Sequence, residues 1–306
     1  MNLKSRSRWP TRAERAVLTV VLAMVTLLQP AGPPAHVASV ARRGAGRVPP
    51  PPPGPAVAPR QPGLPDRAWP DASTTGVPAG TTLRPSGSLT VRRQAAVVSD
   101  LDVRGCLTID ADAVVVRRVR VRCGGEGYAV DVLPGHRGVL IEDVEIDGLG
   151  RPGMIAVGVA GYTLRRADVH GVGDGPRMGD RSTVEDSYIH DLAIGSGAHN
   201  DGIQSTGGRH LMIRHNRIVH RRAQTSCILL GADLGDIVDA TVKDNLLDGG
   251  NYTVYAGSSG GHVARGVRII GNRFGRGFVY GPASLGRSGI TWSGNRWADS
   301  GRRIPR

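Results

Sequence analysis

Two Asp-Gly steps, Asp174-Gly175 and Asp201-Gly202, stand 27 residues apart in a chain of 306 residues. If the chain coils with a period near that spacing, the two carboxylates stack roughly 5 Å apart along the coil axis. Carboxylates that close repel and their pKa values separate, so one can serve as acid and the other as base, the pairing that glycosidic hydrolysis requires. His199 adds a titratable group beside the second step, and Asn200 and Gln204 add hydrogen-bonding side chains suited to sugar hydroxyls. Elimination next to a uronic carboxylate is the other chemistry open to such a site. It needs a base and positive charge for the carbanion; Arg177, one coil before Gln204, is the candidate, with calcium as the cofactor a lyase would call for and no cofactor expected otherwise. An Asp-Gly step is also an ordinary turn, so the pair has a purely structural reading as well.

The coil itself is legible as an internal repeat. VVVRRVRV (114–121), VLIEDVEIDG (139–148), YTLRRADVHG (162–171), STVEDSYIHD (182–191), LMIRHNRIVH (211–220), ATVKDNLLDG (240–249), VRIIGNRFGR (267–276) and ITWSGNRWAD (290–299) align on Val116, Ile141, Leu164, Val184, Ile213, Val242, Ile269 and Trp292. The intervals between these anchors are 25, 23, 20, 29, 29, 27 and 23 residues. Alternating apolar residues and β-branched content make each copy a strand, and no copy shows the 3.6-residue period of an amphipathic helix. A second strand series falls between the copies: 128–132, 154–159, 201–206, 226–231, 252–257 and 278–281. Repeats of this length that cannot bury an apolar face alone must stack. The expected fold is all-β, a single-stranded right-handed parallel β-helix of about eight to ten coils. Three residues after the anchors stand Asn216, Asn245, Asn272 and Asn295, preceded by Ser187, a column that stacked coils could join by hydrogen bonds along the axis.

Composition removes several alternatives. Lys4 and Lys243 are the two lysines, so P-loop and Schiff-base chemistry are poorly supplied. The net charge of +13 is concentrated at the start: residues 1–67 hold ten basic and two acidic groups, a net of +8. The remaining +5 is spread over alternating positions, which reads as a solvated surface with no nucleic-acid partner. A basic stretch, the apolar run Ala16–Leu28 and the small residues Ser39-Val40-Ala41 form an expected export signal over 1–41, with membrane attachment only if that signal is retained as an anchor. Residues 42–68 read as a proline-rich disordered linker and 69–306 as the β-helix, a monomer that is secreted or at the cell surface. Cys106 and Cys123, near one coil length apart, are expected to form a disulfide between adjacent coils, and Cys227 to be a buried thiol.

The stretches WPDASTTGVPAGTTL (69–83), HNDGIQS (199–205), GGNYTVYAG (249–257) and NRFGRGFVYGP (272–282) resemble secreted actinobacterial right-handed β-helix repeat proteins with the pectin-lyase-like fold. The resemblance implies polysaccharide as partner, since the wider superfamily includes polysaccharide lyases, polygalacturonase-type hydrolases and non-catalytic members. HNDGIQS is similar to the Asp-bearing motif of the hydrolases, whose paired Asp-Asp and Gly-His-Gly signatures are absent. Asp147, His170, His190 and Asp248, six residues after their anchors, form a second column that could line the same groove or hold strand-end turns. Tyr255 and Tyr280 are placed at matching positions of successive coils, where their rings could stack on a glycan. Phe274, Trp292 and Trp297 are expected to close the end of the solenoid. Two functions remain: cleavage of polysaccharide by Asp174, Asp201 and His199, and glycan binding without catalysis.

Overall fold

The computed structural model describes residues 68–195, 199–220 and 225–306. The expected export signal, and all of the expected linker but Ala68, lie outside them. Among the described residues there is no helix, and every strand pairing within the coils is parallel. The chain is a parallel β-helix.

Its main ladder is the anchor column. Val98 pairs with Val116, Val116 with Ile141, and the register continues through Leu164, Val184, Ile213, Val242 and Ile269 to Trp292. From Val116 to Ile269 the anchors are at most 1% exposed. They line a core of Val, Ile, Leu and Ala that needs few rings, because parallel rungs bring like residues into contact from coil to coil. The stack begins earlier than the repeat suggests. Strands Arg84–Ser86 and Val97–Val103 add rungs at the amino-terminal end through shorter coils, Val98 preceding Val116 by 18 residues.

Two residues after each anchor the backbone turns through the left-handed region. Asp100, Arg118, Asp143, Arg166, Asp186, His215 and Asp244 all have φ between 49° and 59°, and Gly271 and Gly294 continue the series. Charge alternates along this column from Asp100 to Asp186, and Arg118 pairs with Asp100, Arg166 with Asp143 and His215 with Asp186 at 2.6 Å each. One residue before, Arg117, Glu142, Arg165, Glu185 and Arg214 alternate in register, with Glu142–Arg165 and Glu185–Arg214 ion pairs. These side chains are partly exposed, so each pair contributes little stability. Their alternation matters more for which coil meets which.

The next position inward is the polar column. Asn216 donates from its backbone N and Nδ2 to Asn245 Oδ1 (2.9 and 3.1 Å), Asn245 to Asn272 (3.0 and 2.9 Å), and Asn272 to Asn295 (3.0 and 3.0 Å). Ser187 extends the chain, its backbone N donating to Asn216 Oδ1 and its hydroxyl accepting from the Ala167 amide. All five are fully buried. Each asparagine also donates to a carbonyl one coil back, so the groups exposed by the bend are satisfied inside the core.

After the bend a second ladder runs through the later halves of Val115–Arg122 and Val139–Gly158 to Asp168–Asp174, Tyr188–Ile189, Arg217–His220, Leu246–Gly249, Arg273–Phe274 and Arg296–Trp297. A third face is closed in the carboxyl-terminal half by Asn200–Ser205, Thr225–Ala232, Tyr252–Ser258 and Gly281–Leu285. Five of the six expected intervening strands match. The sixth was placed at 278–281, whereas the strand is Gly281–Leu285; Pro282 disguises it, and is tolerated because this is the edge of its sheet.

Both ends are finished. Cys106 and Cys123 form the expected disulfide near the amino-terminal end, with Cα atoms 5.0 Å apart. At the other end Phe274 is fully buried against Trp292, Trp292 Nε1 donates to the Ile304 carbonyl at 3.0 Å, and Arg303 pairs antiparallel with Arg296. The last residues thus fold back over the final rung. Trp69 ties the start of the domain to the flank of the stack, its indole donating to the Asp244 carbonyl, and Gly76 N bonds Arg166 O.

Candidate functional site

Asp174 and Asp201 stack as their spacing implies. The Asp201 amide donates to Asp174 Oδ1 at 3.0 Å, and the Gly175 amide donates to the Asp201 carbonyl at 2.9 Å. Arg177 Nη2 donates to Asp174 Oδ2 at 3.0 Å, and Gln204 Nε2 to Asp201 Oδ2 at 3.2 Å. Arg177 and Gln204 are themselves bridge partners in parallel register. The motif is therefore one unit repeated on successive coils: an aspartate, then three residues later a side chain that donates to it. Ser226 is the next residue in the column, and it donates to Asp201 Oδ1 from both its amide and its hydroxyl. Sequence reasoning omitted Ser226, although its 25-residue offset from Asp201 is a coil length.

Burial sets the electrostatics. Asp174 is 8% exposed and Asp201 is 6% exposed. Desolvation is the main cause that pushes the Asp201 carboxyl up to about 7, and the neighbouring Asp174 charge adds to it against the donors from Ser226 and Gln204. Asp174 is also raised by burial, while the Asp201 amide, Arg177 and, through space, His199 oppose the shift. Of the two, Asp174 has the guanidinium beside it and Asp201 carries the larger upward shift.

The other residues distribute unevenly. His199 is exposed. Asn200 is 2% exposed and faces inward: a Cβ on Gly173 would come within 3.1 Å of its Nδ2, and its Oδ1 has no hydrogen-bond partner among the described residues. His220 packs behind it, hydrogen-bonded to the Asn200 backbone, and burial drops its pKa to about 4. Tyr255 shares the outer column with Gln204 through Leu229. It does not match Tyr280: the register partner of Tyr255 is Ser284, because the last coil is longer, and Tyr280 lies beside Tyr252 instead. Tyr252 sits edge-on to Tyr255 with centroids 5.4 Å apart, so Tyr252, Tyr255 and the 61%-exposed Tyr280 form one ring cluster two rungs beyond Asp201.

His170 and His190 belong to the second ladder, across the bend at Gly171 (φ 64°) from Asp174. His190 is held between Asp168 (2.8 Å) and Asp191 (2.7 Å), and His170 faces Glu145 and Asp147 at 3.8 and 3.7 Å. The carboxylates around each outweigh burial and raise both pKa values. Asp147 continues that column, while Asp248 accepts the Gly277 amide in a turn. This column therefore lies on the second ladder, while Asp201 and Ser226 lie on the third.

A calcium ion does not fit the pair. All four carboxylate oxygens already accept from the protein's own donors, and two carboxylates beside a guanidinium fall short of the six to eight oxygen ligands the ion takes. Cys227 is a buried thiol, its pKa pushed up by desolvation, with Sγ near the Asp248 and Ile218 carbonyls. A cavity of about 400 Å³ exists elsewhere, between Val77–Leu83 and the Asp102 and Arg120 side chains.

No protein-family model and no curated protein matches the chain. Among solved structures, one described as "Glycoside hydrolase" is similar with a TM-score of 0.40 and 14% identity, over 64% of this chain and 38% of that one. The chain thus spans well under half of that protein's length.

Proposed function

We propose that the outer face of the Asn200–Ser205 and Tyr252–Ser258 ladder handles polysaccharide outside the cytoplasm, and that the aspartate pair cleaves it. The observation that carries this reading is the stacked pair itself: one carboxyl pushed up to about 7 by burial, directly against a second that is paired with an arginine. In that arrangement Asp201 supplies the proton to the glycosidic oxygen and Asp174 stabilises the positive charge that develops on the sugar or activates water against it. Arg177 and Gln204 fix the two carboxyls, and Tyr252, Tyr255 and Tyr280 offer rings to the sugar faces along the same ladder. The Cys106–Cys123 disulfide fits an oxidising compartment and so supports export.

A second reading, binding without turnover, is favoured by one observation: both carboxyls are nearly covered and every oxygen is already engaged. The test is a panel of plant, bacterial and algal polysaccharides, read for reducing ends and for ultraviolet-absorbing unsaturated products. Cleavage predicts turnover that Asp201→Asn lowers by about a hundredfold or more, the loss expected for a general acid. Retained glycan binding with no product from the intact chain would leave only the second reading.

A further inference from the structure

The second ladder changes character along its length. Through the amino-terminal coils its outer column reads Asp102, Arg120, Glu145, Asp168, and the arginine is paired with a carboxylate: Arg120 Nε lies 2.7 Å from Glu145, and Arg122 on the neighbouring column binds Asp102. From Tyr188 onward the same column is Arg217, Leu246, Arg273, Arg296, with no carboxylate in it. The guanidiniums of Arg217 and Arg273 make no hydrogen bond or ion pair with any described residue, and Arg217 Nε and Arg273 Nη1 are shielded from water without a partner. Arg296 is exposed, and among the described residues its guanidinium donates only to the Gly301 carbonyl. Around Arg273 and Arg296, residues 265–306 contain nine arginines and one aspartate, Asp299, which is taken by Arg276, and Asp248, on the rung between Arg217 and Arg273, accepts the Gly277 amide.

We infer that this arginine column is a binding surface for a linear carboxylate-bearing polysaccharide, separate from the aspartate ladder. Buried guanidinium nitrogens without partners are costly as they stand, and a planar carboxylate is the group that satisfies them in pairs. The rungs set the spacing: Arg273 and Arg296 are one rung apart, about 4.8 Å, and Arg217 is two rungs from Arg273, about 10 Å. A polymer with a charge on each ring, laid along the axis, meets one guanidinium after another. The rings nearby argue against a nucleic acid. Tyr188 lies under Arg217 at 5.1 Å and Trp297 under Arg276 at 4.1 Å, so the faces that would stack on bases are already covered.

The experiment is direct binding of the full chain to alginate, to neutral dextran and to oligothymidylate over a range of sodium chloride concentrations. Alginate binds, dextran does not, and the affinity falls as salt rises. Arg217→Gln and Arg273→Gln each weaken alginate binding by about tenfold, the worth of one charge-assisted pair, and each reduces the slope against log salt by about one unit. Arg273→Lys, which keeps the charge but not the planar fork, keeps the salt slope of the intact chain and recovers only part of the affinity, which separates lost charge from lost pairing geometry. Arg118→Gln, whose guanidinium is already paired with Asp100, leaves alginate binding unchanged. Three results would overturn the inference: no alginate binding by the intact chain, an equal loss in Arg118→Gln, or tighter binding of oligothymidylate than of alginate. The readout is binding at residues on a different ladder from Asp201, so a chain without turnover leaves this inference standing, and a chain that cleaves but ignores alginate overturns it alone.

Discussion

Asp201 is the residue whose protonation links folding to the proposed chemistry. Its carboxyl is raised from 3.8 to about 7, so between those values the folded chain binds more protons than the unfolded one, and its contribution to stability is complete at low pH and lost as pH rises through about 7. His220 works in the opposite sense over part of that range: lowered from 6.5 to about 4, it stays neutral in the fold and adds stability as pH rises between those values. The two overlap, so the wild-type profile alone does not isolate either. The difference between wild type and Asp201→Asn does: thermal unfolding at intervals from pH 4 to 8 shows the wild type losing ground relative to the variant as pH increases, and a constant difference would contradict the burial argument. Turnover, if Asp201 is the acid, declines over the same upper range.

At the scale of elements, the asparagine column holds the bends and the ladders follow. Asn245→Ala removes the acceptor of two donors from Asn216 and a donor to the Ile213 carbonyl, in a fully buried column. The expected cost is about 3 kcal/mol or more, read as a lower midpoint in chemical denaturation. Cys123→Ser removes a link that closes a 17-residue loop, worth about 3 kcal/mol by chain entropy, and reduction of the intact chain should produce a similar loss. Much of this scale was legible in the sequence because a parallel stack repeats its chemistry: all eight anchors, the Ser187–Asn295 column and the stacking of Asp174 on Asp201 follow from aligning short segments. Three things were not. The rungs at Arg84–Ser86 and Val97–Val103 fall outside the 20- to 29-residue spacing of the anchors, since their coils carry almost no loop. The lengthened final coil moved Tyr280 out of register with Tyr255. The positive φ at Gly171, between His170 and Asp174, is not announced by one residue among 44 glycines.

For the whole molecule, the ends are the vulnerable places, because a stack of parallel strands always terminates in unpaired edges. Residues 302–306 cover the last rung through the Trp297 amide, the Asn295 carbonyl and the Trp292 indole. Deleting them should leave the interior folded but expose strands 290–293 and 296–297, and light scattering coupled to size exclusion should then detect higher oligomers at concentrations where the intact chain shows none. The alternating columns beside the bends carry a different consequence. Because Asp100, Arg118, Asp143, Arg166 and Asp186 change sign at every coil, in step with Arg117, Glu142, Arg165, Glu185 and Arg214, the stack has parity. Excising a single coil sets like against like in both files, as Arg118 against Arg166 and Arg117 against Arg165, whereas excising two adjacent coils restores opposites. Growth or shortening of this region by duplication is therefore easiest in even numbers.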